Sequence, residues 1–251
     1  MISKEEENFR GMLEVLRKDQ REASQFFYAS IATHNLASKS KEVADALNEN
    51  PLYWNTVLGS LETSFFIALN RIFDNKSRHN IQKLIAFLKA NSEELLSPGA
   101  LEARKMEGVR QQGGSETPAW LPKYIDSANY PDDKYFLRLE RYVNKYKKIY
   151  TDNYAKIRHE VLAHNVTVRR VEVSKLYMKT NVRVVSRILS FVDAAYEYIW
   201  QMAWNGRRVS LRLHRPNRVL SKLLDGSLPS SGSVESLISE QALKVMEAIC
   251  H

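Results

Sequence analysis

The stretch LERYVNKYKKIYTDNYAKIRHEVLAHN, residues 139–165, decides the fold class of this chain. Its apolar side chains recur every three or four positions and extend a pattern that begins slightly upstream. They form one seam: Phe136, Leu139, Val143, Tyr146, Tyr150, Ile157 and Val161. That period is typical of an amphipathic α-helix with one face in a core. We therefore predict a long helix from about Asp132 to about Ala163.

The remaining sequence predicts further helices. Ser3 and Glu6 form a capping-box pattern in front of apolar residues that recur at helical spacing as far as Ile31. The stretch LYWNTVLGSLETSFFIALNRIFD, which follows Pro51, is apolar on nearly every side, so we expect it to lie at the centre of the fold. Other helices are predicted at 41–48, 80–90, 98–111 and 174–205, and an extended piece at 166–173.

Two segments interrupt the helical pattern. Residues 112–133, QGGSETPAWLPKYIDSANYPDD, are rich in Gly, Pro and Asp, which predicts an irregular insertion. After Gly206 come the basic stretch RRVSLRLHRPNR, a Ser/Gly-rich linker near 227–233 and a short terminal helix. We thus expect an all-α domain over 1–208, with long antiparallel helices and short accessory helices, and a separate tail over 209–251.

Composition narrows the functional classes. Hydrophobic residues make up 44% of the 251 residues, and 9 glycines and 7 prolines are few for a disordered chain. The single cysteine, Cys250, excludes a disulfide framework and a thiolate metal cluster. The acidic start MISKEEENF does not resemble a secretory signal, and no apolar run approaches the roughly 20 residues of a membrane span. We expect a cytoplasmic protein without a membrane segment.

Positive charge is concentrated in one part of the chain. Of the net +8, residues 138–218 contribute 18 Lys or Arg against 6 Asp or Glu, whereas residues 1–137 have 17 against 19. Such a region is suited to a polyanion such as RNA, although a solvated cationic surface without a partner is equally compatible. The candidate nucleic-acid-binding residues are Arg138, Arg141, Tyr142, Lys145 and Lys148; for Tyr146 and Tyr150 we favour a place in the core.

The stretch IRHEVLAHN, residues 157–165, places an arginine, two histidines and a glutamate close together. A zinc-binding helix needs its two histidines four positions apart so that both rings face one side. His159 and His164 are five apart, which separates them by about 140° around a helix. We therefore predict no metal site and no other cofactor.

An Arg and His pair acting on phosphate is the second hypothesis. Arg158 offers a permanently charged fork that matches phosphate, and His164 can exchange a proton near neutral pH. Spacing alone is weak support, because 19 arginines and 6 histidines give about 1.4 chance matches, and Arg207 and Arg208 both match His214. Helical geometry places Arg158 and His164 on the two borders of the apolar seam. A snorkelling arginine and a helix-terminal histidine remain an equally good interpretation of these two residues.

With these residues the chain resembles the HEPN superfamily, whose signature is Arg-x4 to x6-His with Asn, Asp or His directly after the arginine. Arg158, His159 and His164 fit that signature at the end of a long helix. Further segments resemble the abortive-infection branch found among phage-resistance proteins. They are FFYASIATHNLASKSKEVADALNENPLYWNTVLGSLETSFFIALNRIFD, LERYVNKYKKIYTDNYAKIRHEVLAHN and YIWQMAWNGRR. The resemblance covers about residues 9–208.

The resemblance implies a helical bundle that dimerises with two motifs facing a shared cleft, and metal-independent endoribonuclease activity as a toxin or anti-phage effector. Arg158 and His164 would be the catalytic pair, with His159 beside them. Arg71 and Asp74, in NRIFD, would have a supporting role, although an ion pair closing a buried helix is an alternative. RNA, a second copy and an antitoxin-like protein are the expected partners. A non-catalytic protein that binds nucleic acid or a partner through the basic region is the competing hypothesis.

Overall fold

A computed structural model describes residues 2–155, 181–211, 218–225 and 232–250. Within these ranges the regular structure is entirely α-helical, which confirms the predicted fold class. The described helices are α1 Lys4–Lys39, α2 Lys41–Glu49, α3 Pro51–Phe73, α4 Ile81–Ala90, α5 Ser92–Leu95, α6 Pro98–Gln111, α7 Leu121–Ser127, α8 Asp133–Asn153, α9 Val182–Asn205, α10 Arg218–Asp225 and α11 Val234–Ile249.

Four long helices, α1, α3, α8 and α9, form an antiparallel bundle. In each neighbouring pair, the contacts move toward the C-terminus of one helix as they move toward the N-terminus of the other. For α1 against α9 the pairs are Phe9 with Trp204, Arg17 with Asp193 and Tyr28 with Ser186. For α3 against α8 they are Phe73 with Tyr150 and Phe66 with Tyr154. The predicted long antiparallel helices are thus confirmed.

Stacked aromatic rings fix the register of α8 against α9. Tyr135 stacks on Tyr198 with ring centroids 4.5 Å apart, and Tyr146 stacks on Phe191 at 4.2 Å. The hydroxyl of Tyr135 also donates to the backbone oxygen of Tyr198 at 3.1 Å. The predicted seam of α8 is buried as far as Tyr150, whereas Ile157 and Val161 lie outside the described residues.

Two predicted helices have different bounds in the structure. α8 ends at Asn153, where Tyr154 leaves helical geometry, and the predicted end near Ala163 lies outside the described residues. α9 begins at Val182 rather than at Ser174, because the Asn181 side chain caps it by accepting hydrogen bonds from the backbone N–H groups of positions 183 and 184. The extended piece predicted at 166–173 lies outside the described residues.

The prediction that α3 is central is wrong for its first half. Phe65, Phe66, Leu69, Ile72 and Phe73 are buried, but Leu52 and Tyr53 are 78% and 64% exposed. Apolar composition does not by itself show which part of a helix has neighbours to pack against. The insertion at 112–133 is also more regular than predicted, since it contains α7.

One end of the bundle is closed by α6 and α7, and we call it the capped end. The side chain of Arg104 is 2% exposed and donates to both carboxylate oxygens of Glu6, at 2.9 and 2.5 Å. It also donates to the backbone oxygen of Ala203 at 2.9 Å. Arg10 joins Glu6 to Glu107 on α6. The N-cap half of the predicted box is confirmed, since the Ser3 hydroxyl accepts the N–H of Glu6, but the Glu6 carboxylate binds these arginines instead.

Gly206 joins α9 to the capped end. It has a φ of +54°, and a Cβ added there would lie 2.5 Å from the Cβ of Ala128 and 2.9 Å from Cδ2 of Leu101. Its backbone oxygen accepts the N–H of Asn129 at 2.7 Å. Both the left-handed backbone and the close approach require glycine.

The described part of the tail packs on α1. The Asn35 amide donates to the backbone oxygen of Leu223 at 2.6 Å, and the Lys39 ammonium donates to that of Leu224. The predicted C-terminal helix is confirmed as α11, and its inner face includes buried Ser236, Ser239 and Met246. The described tail residues therefore belong to the same packed body as α1.

Replacing Arg104 with alanine should lower the free energy of unfolding by about 3 kcal/mol, because removal of one partner leaves a buried carboxylate with less compensation. Chemical denaturation measures this change. As a matched control, Lys244→Ala removes an exposed i,i+4 pair with Glu240 and should leave stability nearly unchanged. Equal effects of the two variants would contradict the structural role of Arg104.

The same network predicts a pH dependence. Burial raises the pKa of Glu6, but hydrogen bonds from Arg104 and Arg10 outweigh it, so the pKa is lowered overall. The stability contributed by Glu6 is complete above the ordinary glutamate pKa of about 4.3 and is lost as the pH falls through the lowered value. Glu6→Gln should therefore flatten the acid limb of the stability curve, and an unchanged limb would contradict this.

Candidate nucleic-acid interface

The predicted motif residues Arg158, His159 and His164 lie outside the described residues. The structure instead shows where the segment that contains them begins and ends. The hydroxyl of Tyr154 lies 3.4 Å from the backbone oxygen of Asn181 and 3.5 Å from its nitrogen. The described residues on either side of 156–180 thus lie together at one place on the bundle, which we call the site end.

Tyr154 is well suited to hold this junction. It is fully buried, and its ring lies 6.4 Å from that of Phe66 on α3. Burial raises the pKa of its hydroxyl, which therefore stays protonated and can act as a hydrogen-bond donor. The side chain fixes the end of α8 and the start of α9 to the same part of the core.

A strip of cations runs along the outer face of α8. The predicted binding residues Arg138, Arg141, Lys145 and Lys148 are all exposed, and helical geometry places them within about 80° of one another. Among the ion pairs of the described residues, only one involves this strip, between Lys148 and the exposed Asp152 at 3.1 Å. Three of the four cations of the strip therefore have no ion-pair partner among the described side chains.

The aromatic side chains of α8 are mostly committed to packing. Tyr146 and Tyr150 are buried, in agreement with the core position expected for them. Tyr150 stacks on Phe73 and donates its hydroxyl to the Asn70 side chain at 2.9 Å. Tyr142 is half-buried against the core, so part of its ring packs and part stays exposed, and its binding role stays a prediction.

A groove between α8 and α9 lies at the site end, and we call it the α8–α9 groove. Its volume is about 220 Å³, and it is lined by Lys145, Tyr146, Ile149, Asn153, Tyr154, Val184 and Arg187. Sequence reasoning missed Arg187, because only the register of α8 against α9 shows that it faces Lys145. The sequence did offer one signal for Arg187. It lies four positions after Arg183, a spacing that places both exposed arginines on one helix face.

Arg71 and Asp74, the predicted supporting residues, have separate partners. Arg71 forms ion pairs across to α1, with Asp19 at 2.8 Å and Glu22 at 2.5 Å; the first of these is not aligned as a hydrogen bond. Asp74 ends α3, and its carboxylate accepts the N–H of Lys76 and an amide hydrogen of Asn70. These contacts favour the structural alternative for both residues.

Burial outweighs ion pairing in its effect on the pKa of Asp19. Its side chain is 7% exposed, and burial raises the pKa of the carboxyl more than the attraction of Arg71 lowers it. Arg71 thus offsets part of the cost of a buried carboxylate.

Within the described ranges, no group of three His, Cys, Asp or Glu side chains is placed to hold a metal ion. The described helices also include none with the length and apolar content needed to cross a bilayer.

Comparison with known proteins gives one finding. A family model of HEPN type, described as AbiU2, matches residues 6–218. The match includes the motif segment and α1 to α9 except for the first two residues of α1, and it extends past position 208, where the predicted domain ends. No curated protein and no solved structure matches the chain.

Arg71→Met should lower stability by about 1 to 3 kcal/mol, because it leaves Asp19 buried without its cation. The loss should be larger at pH 7 than at pH 4, since a carboxyl whose pKa is raised in the folded state destabilises only once it is ionised. Adding Asp19→Asn should recover part of the loss.

The control is Lys18→Met, which removes an exposed cation 3.9 Å from Glu22 and should have little effect. If Arg71→Met left stability unchanged but abolished activity on RNA, the supporting catalytic role would be favoured over the structural one.

Proposed function

The chain belongs to the AbiU2 family of HEPN proteins, and from that membership we propose that it is a metal-independent endoribonuclease acting in abortive infection. Arg158 and His164 are the proposed catalytic pair, with His159 beside the arginine. The family match, which spans the whole motif segment, is the observation on which the proposal depends.

The two side chains suffice for RNA cleavage without a metal. Histidine takes the proton of the 2'-hydroxyl, or donates one to the leaving oxygen, as that hydroxyl attacks the adjacent phosphorus. Arginine offsets the negative charge that builds on the phosphate oxygens in the transition state. The products are a cyclic phosphate and a free 5'-hydroxyl, so atoms and charge balance without a cofactor.

The position of the site end supports the proposal. Arg158 is four residues beyond Tyr154, a length of chain that spans at most about 14 Å. Tyr154 lines the α8–α9 groove together with Lys145 of the cationic strip, so the catalytic arginine would be close to a surface suited to a polyanion.

A non-catalytic nucleic-acid-binding protein is the second candidate. The exposed cations of α8 favour it equally, because charge attracts RNA whether or not cleavage follows. Binding that weakens steeply with salt, without cleavage, would support this candidate.

We also propose that the protein acts as a homodimer, as the family membership implies. The exposed first half of α3 offers an apolar surface for a second copy. Because α3 runs antiparallel to α8 and Phe66 lies beside Tyr154, this surface is at the site end. A second copy bound there would bring two motif segments together. An antitoxin-like protein partner stays a prediction.

Wild-type protein should cleave RNA in the presence of EDTA, and His164→Ala and Arg158→Ala should each reduce the rate by about 10²- to 10⁴-fold. Gel analysis of labelled RNA measures the rate. The control is His79→Ala, which changes a partly exposed histidine on the turn between α3 and α4 and should retain activity. Cleavage that survives His164→Ala would contradict the assigned pair.

Light scattering at micromolar concentration should give twice the 29.0 kDa chain mass. Leu52→Lys combined with Tyr53→Lys should shift the protein toward monomer, because two charges would enter an apolar interface. Leu137→Lys, at a 53% exposed position on α8, is the matched control and should leave the dimer intact. A monomeric wild type would count against the dimer.

A further inference from the structure

The α8–α9 groove has a rigid floor and two cationic walls. Tyr146 forms the floor, with its ring held parallel to Phe191 at an interplanar angle of 6°. Lys145 stands on the α8 side, with its ammonium 5.9 Å from the Tyr146 ring centroid. Arg187 stands on the α9 side, where its charge favours the ionised form of the Tyr146 hydroxyl and so opposes the rise of its pKa. Both cations therefore converge on one side chain.

Among the described residues, no carboxylate compensates the two cations of the groove. None of the seven groove residues is acidic, and neither Lys145 nor Arg187 belongs to an ion pair within the described residues. Burial raises the pKa of Tyr146 more than Arg187 lowers it, so its hydroxyl stays neutral and contributes no counter-charge. Two like charges held near each other repel, and an anion between them removes that repulsion.

Phosphate is the anion that this arrangement fits best. Arginine binds two phosphate oxygens through its planar fork, and lysine adds a point charge that tolerates several positions of the same group. The volume of about 220 Å³ is below the range in which pockets usually enclose a whole small molecule, about 300–1,000 Å³. An open groove of this size takes a part of a longer chain.

We infer that the α8–α9 groove binds the phosphodiester backbone of a single RNA strand, with Lys145 and Arg187 contacting phosphates from opposite walls. The inference rests on the proposed function, since it takes RNA as the ligand. It adds Arg187 as a strand-binding residue and places the strand beside Tyr154 and Asn181, the described residues near the two ends of 156–180.

The groove recognises backbone rather than bases. Base stacking needs a free aromatic face, but the Tyr146 ring is occupied by Phe191 and Tyr154 is fully buried. The Asn153 amide donates to its own helix, at the backbone oxygen of Ile149. With these groups engaged, the groove supplies charge and little base-specific hydrogen bonding, so binding should be independent of sequence.

The test measures binding by His164→Ala protein, so that cleavage does not interfere. Fluorescence anisotropy in EDTA gives the Kd of labelled oligo(A) and oligo(U) of about 12 nucleotides, a length within known single-strand site sizes, at several salt concentrations. The variants are Lys145→Gln, Arg187→Gln and their combination. The matched control removes one lysine and one arginine elsewhere, by Lys123→Gln with Arg110→Gln, at exposed positions on α7 and α6.

The combined groove variant should raise Kd at least tenfold for both oligomers, while the control double variant should leave it within about threefold. The slope of log affinity against log salt should fall by about 1.4, or about 0.7 for each phosphate that the protein no longer neutralises. Arg187→Lys should recover part of the affinity, because it keeps the charge and loses the fork. Circular dichroism confirms that each variant is folded.

Equal affinities of the groove and control double variants would overturn the inference, as would a tenfold preference for one base or the absence of RNA binding. Displacement by millimolar AMP that is as complete as that by unlabelled oligomer would assign the groove to a free nucleotide instead of a strand. Cleavage by wild type is measured separately. Cleavage with no groove effect overturns this inference alone, and a groove effect without cleavage overturns the proposed activity alone.

Discussion

Aromatic stacking between α8 and α9 determines where the rest of the molecule must lie. Tyr135 on Tyr198 and Tyr146 on Phe191 fix the register of the two helices at two points along their length. Each such ring pair contributes about 0.5 to 1.5 kcal/mol beyond burial alone, and a shift of register would break both. With that register fixed, the last residues of α8 meet the first residues of α9. The motif segment therefore starts and ends beside the α8–α9 groove.

The two ends of the bundle have different chemistry. At the capped end, the buried Arg104 is paired with Glu6 and holds α1, α6 and α9 together. At the site end, cations such as Lys145 and Arg187 are exposed and have no carboxylate beside them among the residues that line the groove. Paired charges of the first kind stabilise a fold, whereas exposed charges of the second kind attract an anion. Burial and pairing with a carboxylate therefore distinguish a structural arginine such as Arg104 from a candidate binding arginine such as Arg187.

Periodicity predicted the helices and the buried face of α8 correctly, because the spacing of apolar residues depends only on local geometry. It failed where tertiary neighbours decide, as in the first half of α3, whose apolar residues are exposed. The cap at Ser3 was recognisable, but the binding of Glu6 by Arg104 joins positions 98 apart and leaves no local signal. Arg187 was missed because its position beside Lys145 also depends on a tertiary contact, the register of α8 against α9. Arg158 and His164 were predicted from spacing and resemblance and lie outside the described residues, so the structure adds only the positions of the flanking Tyr154 and Asn181.

If RNA is bound and cut at the site end, as we propose, it must lie against both walls of the α8–α9 groove. Photo-crosslinking tests this most directly, with His164→Ala protein, RNA containing 4-thiouridine and mass spectrometry of the crosslinked peptides. We expect crosslinks within residues 145–156 and 183–187, on the two sides of the groove. Crosslinks confined to α6 and α7 at the capped end would contradict a site at the other end of the bundle.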